Sequence, residues 1–120
     1  MIGSCEVLKK RIMPSLEHIL DLMFGRDVWT SGREIERINR QLTNGPAWPI
    51  WIDHLERSVM GRIQLSWHNS FYQFGPRNRR ISIRDHMANR GVIVQHPHHP
   101  VCFVQTNHGS LYPVEAFWID

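Results

Sequence analysis

VIVQHPHHPVCFV (residues 92–104) and LYPVEAFWI (residues 111–119) contain three short apolar runs, which proline and polar residues separate. Short runs rich in Val, Ile, Phe, Tyr and Trp, bounded by turn residues, are typical of β-strands. We therefore predict strands at residues 92–94, 101–104 and 111–119. The two prolines between the first two runs stiffen the backbone, so residues 96–100 are predicted to form a rigid connection.

The strand pattern extends towards the middle of the chain. Ile63, Leu65 and Trp67 alternate with polar residues, which is the period-two pattern of a half-buried strand. The aromatic residues at 71–74 predict a returning strand. Residues 84–89 then predict a short helix. Short strands with frequent turns are typical of a small barrel or a partly open sheet.

Two amphipathic helices are predicted in the first half of the chain. Pro14 and Ser15 are good helix-start residues, and Gly25 is suited to end the first helix. The second helix is predicted to begin with a capping box, in which Glu34 follows Ser31 by three residues. Each helix has an apolar stripe at the spacing of one buried face, formed by Leu16, Ile19, Leu20 and Met23 in the first and by Ile35, Ile38 and Leu42 in the second.

Two prolines and a glycine predict a break at residues 43–49. The Pro46–Trp51 segment is predicted to be an exposed aromatic loop, with the alternative that Trp48 and Trp51 cap the barrel. Residues 1–8 are predicted to be a short strand or an ordered lead-in. We therefore expect one α+β domain over residues 1–120, with its helices at about 14–43 and its strands at about 58–119.

Composition excludes several classes of protein. The chain has 120 residues, of which 42% are apolar and 21% charged, so it is not disordered. No apolar run approaches the roughly 20 residues that cross a bilayer, and the N-terminus lacks the apolar core of a signal peptide. Two cysteines cannot form a disulfide framework, so we expect a reduced intracellular location, cytoplasmic or nuclear.

Charge is distributed unevenly along the chain. Residues 1–60 contain eight Lys or Arg and eight acids, whereas residues 61–120 contain six Arg and three acids. Six of the eight histidines lie at or beyond His68. Arginine is suited to bidentate phosphate contacts and to stacking on flat rings. This asymmetry favours an anionic partner that docks on the second half of the chain.

Neither a metal site nor an active site is predicted. The histidines of residues 96–99, together with Cys102 and His108, are possible zinc ligands, but they lack the spacing of a two-ligand clamp. Cys102 is more simply a small core residue. Asp85-His86 is interpreted as part of a solvated helix surface, and no nucleophile elbow or phosphate-binding loop is present. We expect a non-catalytic domain with no cofactor and no bound metal.

Aromatic rings alternate with cations in the middle of the chain. A single-stranded nucleic-acid site needs both, because bases stack on rings and guanidinium groups hold phosphates. The alternative is that Trp67 and Phe71 are core residues and that the arginines only solubilise the surface. The group consists of Trp67, His68, Phe71, Tyr72, Arg77, Arg79, Arg80, Arg84, His86 and Arg90.

Residues 92–119 resemble the end of a PAZ domain, a module of Argonaute, Piwi and Dicer proteins. That family has a proline-bounded turn of the form Y-P-x-L-P and, after a strand and a hairpin, L-P-x-E. Pro97, Pro100, Pro113 and Glu115 stand at the corresponding positions. The segment GRIQLSWH at residues 61–68 is similar to the family's strand G-[LI]-x-V-x-x-[TS]-H.

The resemblance implies an OB- or SH3-like β-barrel with a hairpin-and-helix insert that grips the two-nucleotide 3′ end of a small RNA. It implies that His68 and Tyr72 reach phosphate. The chain departs from the family in its small helix, which carries Asp85, His86 and Arg90 where the family has aromatic residues. The short span between Tyr72 and Arg84 predicts a reduced hairpin, and we expect the aromatic wall to be missing.

The function predicted from these observations is non-catalytic binding of single-stranded nucleic acid. Its most specific form is the 3′ end of a guide RNA in an RNA-silencing protein. The alternative is a degenerate PAZ-like module that has lost the pocket and binds protein, because Trp anchors dominate many interfaces. Trp48 and Trp51 are the anchors in that case. The nucleic-acid-binding residues predicted here are His68, Tyr72, Arg79, Arg80, Arg84, His86 and Arg90.

Overall fold

A computed structural model describes residues 13–53, 55, 57–107 and 109–120. The strand or lead-in predicted for residues 1–8 lies outside the described residues, as does His108. Within the described part of the chain, every helix is too short or too polar to cross a membrane.

The first predicted helix is confirmed as α1 (Leu16–Phe24). The Ser15 hydroxyl accepts a hydrogen bond from the His18 amide at 3.1 Å, which is the N-cap contact expected of a serine. Gly25 ends the helix with a φ of 88°, a left-handed conformation that glycine adopts without a Cβ clash. Leu16 and Leu20 are fully buried and Ile19 packs against them, but Met23 is 47% exposed, so the last member of the predicted stripe is wrong.

A short helix that the sequence pattern did not predict, α2 (Arg26–Thr30), follows directly. Its fourth residue, Trp29, is fully buried, and the indole Nε1 donates to the Asp21 carboxylate at 2.7 Å. Burial raises the pKa of Asp21, but this bond and those from Arg26 outweigh it and lower the pKa below its ordinary value. The helix is fixed by one large buried ring rather than by a periodic stripe.

The second predicted helix is α3 (Ile35–Asn44), and its buried stripe is confirmed. The capping-box prediction is wrong. Ser31 ends α2 instead, because its hydroxyl donates to the Val28 carbonyl at 2.9 Å. Glu34 is the N-cap residue of α3 and forms an ion pair with Arg37 on the exposed face.

The strands form two three-stranded antiparallel sheets and one hairpin. The first sheet has the order β2-β1-β8, the second has the order β3-β6-β7, and β4 pairs with β5. The elements are β1 (Trp48–Ile52), β2 (Arg57–Gly61), β3 (Ile63–Asn69), β4 (Gln73–Phe74), β5 (Ile81–Ser82), α4 (Ile83–Asn89), β6 (Pro100–Val104), β7 (Tyr112–Pro113) and β8 (Phe117–Ile119).

The α+β class is confirmed, but the described strands do not close into the OB- or SH3-like barrel that the resemblance implies. The last predicted strand, residues 111–119, is divided by a short 3₁₀ helix at Val114–Ala116. This turn moves the chain from the second sheet, which contains β7, into the first, which contains β8. Pro113 precedes the turn and has no N–H with which to extend a ladder.

Residues 92–94 do not form the predicted strand. The Val92 amide donates to the Met87 carbonyl at 2.9 Å, which ties the segment to the end of α4. Beyond this segment, the amides of Gln95 and His96 donate to the Glu115 carboxylate at 2.6 and 3.1 Å. The segment is thus held at both ends by contacts other than a strand ladder.

The predicted exposed loop at Pro46–Trp51 is also wrong, since β1 begins at Trp48. This strand is central in its sheet, and the strand region therefore begins about ten residues before the predicted position at 58. Trp51 is only 7% exposed and Trp48 packs against the core. A buried Trp51 cannot act as an exposed protein anchor.

Two apolar clusters hold these elements in place. The larger one contains residues of α1, α2, α3 and both three-stranded sheets, including the fully buried Trp29 and Phe117. The smaller one consists of Ile83, Met87, Val94, Val101 and Ala116, and it anchors α4 to the body of the domain. The β4-β5 hairpin and α4 therefore form a small unit beside the sheets.

Candidate nucleic-acid interface

A cleft of about 330 Å³ lies between this hairpin-and-helix unit and the chain segment that leads into β7. We call it the main cleft. Aromatic and apolar side chains form much of its wall, and backbone and hydroxyl groups of the opposite segment complete it. Its lining residues are Tyr72, Phe74, Ile83 and His86 on one side and Gly109, Ser110, Leu111 and Tyr112 on the other.

Ring contacts hold the aromatic wall of the main cleft. The imidazole of His68 stacks on Tyr72 with ring centroids 3.9 Å apart, and the edge of His86 meets Phe74 at 5.3 Å. Tyr72 and Phe74 nevertheless remain 39% and 38% exposed. The rings are thus positioned by the protein but still have surface on which a flat ligand can stack.

Backbone hydrogen bonds determine the position of Tyr72. Its amide donates to the Asn69 carbonyl at 3.1 Å, and its own carbonyl accepts from Ile83 at 3.0 Å. The Asn69 side chain also accepts from the Phe71 amide at 2.9 Å, an Asx turn that reverses the chain. Tyr72 therefore lies in the turn before β4, between the end of β3 and the start of α4.

The structure brings three of the seven predicted binding residues together at the main cleft. Tyr72 and His86 line it, and His68 stacks behind Tyr72. The resemblance placed Tyr72 on the strand after His68, but it lies in the intervening turn.

The four predicted arginines lie outside the lining of the main cleft. Arg79 and Arg80 are in the exposed turn between β4 and β5. Arg84 is the second residue of α4 and contacts Phe71, with the guanidinium carbon 4.9 Å from the ring centroid. Arg90 follows the last turn of α4, four residues beyond His86.

Phe74, Leu111 and Tyr112 line the main cleft but were not predicted as site residues. Phe74 follows Tyr72 by two residues, which is the spacing of one strand face and the signal that could have identified it. Leu111 and Tyr112 approach only through the tertiary fold. The aromatic wall that we expected to be missing is instead supplied by Tyr72, Phe74 and Tyr112.

Trp67 and Phe71 are not core residues. Trp67 is 68% exposed although Ile63 and Leu65 of the same strand are buried. The alternation is lost because the pairing of β3 with β6 shifts register between Leu65 and Asn69. The aromatic residues of this region are thus displayed on the surface.

The stretch of sequence that contains the hairpin-and-helix side of the main cleft is rich in arginine. Between Glu56 and Asp85 the chain has six arginines and no acidic residue. The nearest carboxylate contact is between Asp85 and Arg84, at 3.4 Å between Oδ1 and Nε, with both side chains about half exposed. A cationic surface with accessible rings is the arrangement that attracts single-stranded nucleic acid.

The histidine-rich connection packs against α2 through His99. Among the described residues, no three His, Cys, Asp or Glu side chains lie close enough to hold a metal ion. His99 meets the edge of Trp29 at 5.3 Å and stacks on His96 at 4.7 Å. Cys102 is fully buried, and burial raises the pKa of its thiol.

We expect the domain to lose stability between neutral and mildly acidic pH because of His99. Burial, and secondarily the neighbouring His96, lower the pKa of His99, while Glu17 and Glu115 oppose this shift without cancelling it. The unfolded chain then binds more protons than the folded domain just below pH ~6.5, so acidification favours unfolding there. The stability that depends on neutral His99 is complete above that pH and is lost as the pH falls below it.

Thermal melting from pH 8 to pH 5 measures this effect. The His99→Gln variant should show a shallower fall in Tm than the wild type. His98→Gln serves as the control, because His98 is exposed. Equal slopes for the wild type and His99→Gln would contradict the assignment.

Comparison with known proteins identifies the fold. The sequence matches no family model and no curated protein. The structure is similar to one of the Drosophila Argonaute 2 PAZ domain, solved for 3′-end recognition of nucleic acids, with a TM-score of 0.63 and 12% identity over 91% of this chain and 95% of that one. A second structure of that Drosophila domain, from work on its nucleic-acid binding, has a TM-score of 0.57 and 12% sequence identity, over 88% of this chain and 97% of that one. The chain therefore has the fold of a PAZ domain.

Proposed function

We propose that this domain binds the 3′ end of single-stranded nucleic acid in the main cleft, without catalysis. The observation that carries the proposal is the cleft itself, where the accessible rings of Tyr72 and Phe74 belong to an arginine-rich stretch of the chain. Both structural neighbours come from work on nucleic-acid binding by a PAZ domain. In its most specific form, the proposal is that the ligand is a small guide RNA in an RNA-silencing protein.

The chemistry of the main cleft suits a terminal nucleotide. A base can stack on the exposed rings, and the Tyr72 hydroxyl and the imidazoles of His68 and His86 can donate hydrogen bonds to phosphate. The arginines of the β4-β5 turn add attraction at longer range, which salt screens. No group in this set is arranged as a nucleophile with a base, so the proposed role is binding alone.

Affinity for short single strands with a free or a blocked 3′ end tests the proposal. A bulky 3′ block should weaken binding by about tenfold or more, since it removes hydrogen bonds to charged groups that contribute roughly 1.5–3 kcal/mol each. Equal affinity for free and blocked strands at low salt would overturn it.

Tyr72→Phe examines the phosphate contact separately from stacking. The variant keeps the ring that stacks on His68 and removes only the hydroxyl. We expect a loss of about 1.5–3 kcal/mol of binding free energy if the hydroxyl donates to a phosphate. The measurement is fluorescence anisotropy with a labelled strand, and Tyr112→Phe provides a matched hydroxyl deletion on the opposite wall. Unchanged affinity in Tyr72→Phe would mean that Tyr72 does not bind phosphate.

Protein docking is the competing proposal, but it keeps only Trp48 of its two predicted anchors, because Trp51 is 7% exposed. It predicts that the wild-type domain ignores short single strands even at low salt.

A further inference from the structure

One side chain in the lining of the main cleft can carry a positive charge. Among the described residues that line the cleft, His86 is the only histidine, none is lysine or arginine, and none is acidic. The His86 ring is half-buried and meets Phe74 edge to face, with the ring centroids 5.3 Å apart. Its helix α4 is anchored by the buried Ile83 and Met87. The protein therefore holds this imidazole in the lining before any ligand arrives.

A strand that enters the main cleft brings negative charge into this lining. Phosphodiesters stay ionised at neutral and mildly acidic pH, and a charge that leaves water needs a compensating partner. The four predicted arginines lie outside the lining, so they act on the phosphates only at longer range, where salt screens them. Imidazole gains its proton between pH 5 and 8, and a nearby negative charge favours the protonated form. A phosphate beside His86 therefore promotes the uptake of a proton.

The groups around His86 leave this role to the imidazole. The two phenols in the lining are neutral near pH 7. The one carboxylate on α4 lies 3.4 Å from an arginine of the same helix, with both side chains about half exposed. Among the described lining residues, no anion is therefore present to attract the proton before the strand binds. The titratable groups on the surrounding elements are His68 of β3, Tyr72 of the turn before β4, Arg77, Arg79 and Arg80 of the β4-β5 turn, Arg84, Asp85 and Arg90 at α4, and Tyr112 of β7.

We propose that His86 binds phosphate in a proton-dependent manner, taking up a proton as the strand enters the main cleft. This inference rests on the proposed function and adds regulation by pH to it. Because the complex then holds more protons than the free domain and strand, affinity rises as the pH falls from about 8 to about 6. The slope of log affinity against pH equals the number of protons taken up, so His86 contributes at most about one. The family that the chain resembles has aromatic residues in this helix, so the proton dependence belongs to a departure of the present chain.

The experiment measures affinity for a strand of about eight uridines with a free 3′ hydroxyl, from pH 8 to pH 6 at constant salt. Uracil and phosphodiester groups do not titrate in this range, so the slope reports on the protein. The wild type should bind about fivefold or more tightly at pH 6, because hydrogen bonds from charged donors are stronger than those from neutral ones. Circular dichroism at each pH verifies that the domain is folded.

Three variants locate the titrating group. His86→Gln keeps a hydrogen-bond donor but does not titrate, so it should lose most of the gain at pH 6. His68→Gln should retain more of the gain, since His68 stacks behind Tyr72 and does not line the cleft. His18→Gln is the matched control and should keep the wild-type slope, because His18 is exposed on α1. Equal slopes for the wild type and His86→Gln would overturn the assignment.

Calorimetry tests the same inference on the wild type alone, so it decides even if His86→Gln fails to fold. Binding enthalpies near pH 6.5 in two buffers with different heats of ionisation give the number of protons taken up. We expect net uptake, and a value of zero would overturn the inference. The 3′ block at pH 8 tests the proposed function separately. A domain that is sensitive to the block but takes up no proton keeps the proposed function and loses the role of His86. A domain that ignores the block at low salt loses the proposed function, whatever its pH slope.

Discussion

Replacing Trp29 with alanine is expected to lower the free energy of unfolding by about 3–5 kcal/mol, the range for removing a large buried aromatic residue. Trp29 is fully buried and is the largest such side chain in the described core. Alanine would leave a cavity between α1, α2 and the proline-bounded connection, and Asp21 would lose its indole partner. The loss is a large part of the roughly 5–15 kcal/mol that stabilises a typical domain.

Denaturant unfolding of the wild type, Trp29→Ala and Trp29→Phe measures this effect. Phenylalanine restores most of the buried ring but not the hydrogen bond to Asp21, so its loss should be clearly smaller. Leu22→Ala is the control on α1, because Leu22 is 74% exposed. A Trp29→Ala loss below about 1 kcal/mol would show that α2 is not fixed by this ring.

The helices show which elements the sequence can predict. In α1 and α3 the buried stripe repeats over several turns, so periodicity identified both. In α2 only Trp29 is buried over five residues, and a single residue has no period. Ser31 and Glu34 have the residue types and the spacing of a capping box, but the Ser31 hydroxyl instead bonds to the last turn of α2.

The strand β1 was missed because Pro49 within it and Pro46 just before it predicted a loop. Pro49 has no N–H to donate. It still fits the strand because β8 pairs only with Ile50–Ile52, so Pro49 lies beyond that ladder. Its carbonyl still accepts from the Asp120 amide at 2.9 Å. Local turn propensity was here outweighed by burial of Ile50 and Trp51 between neighbouring strands.

Only the part of the candidate site that lies within one short stretch of sequence was predictable. His68 and Tyr72 are four residues apart, and one turn brings their rings into contact. The opposite wall of the main cleft, at residues 109–112, lies almost forty residues later and approaches only when β6 and β7 pair. Sequence spacing contains no information on that approach, so Leu111 and Tyr112 could not be identified from it.

Removing both rings from the hairpin side of the main cleft should have the largest effect on binding. In Tyr72→Ala combined with Phe74→Ala, two stacking surfaces disappear, and each base–ring contact contributes about 1–3 kcal/mol. His68 and His86 also lose the rings that they contact. We expect a single strand with a free 3′ end to bind at least ~2 kcal/mol more weakly, which is about thirtyfold.

The dependence of affinity on salt distinguishes this loss from an electrostatic one. Neither substitution removes a cation, so the plot of log affinity against log salt should shift downwards with the same slope. Arg79→Gln combined with Arg80→Gln should instead reduce the slope, because these exposed arginines lie on the basic turn outside the lining of the main cleft. Tyr72 and Phe74 are both more than one-third exposed and belong to neither apolar cluster, so their removal should lower Tm less than the loss of a buried core residue does. A double variant that is folded and binds within twofold of the wild type would exclude the main cleft as the binding site. Tyr72 and Phe74 are the two phenyl-type rings in the hairpin side of its lining, so stacking on that side depends on them.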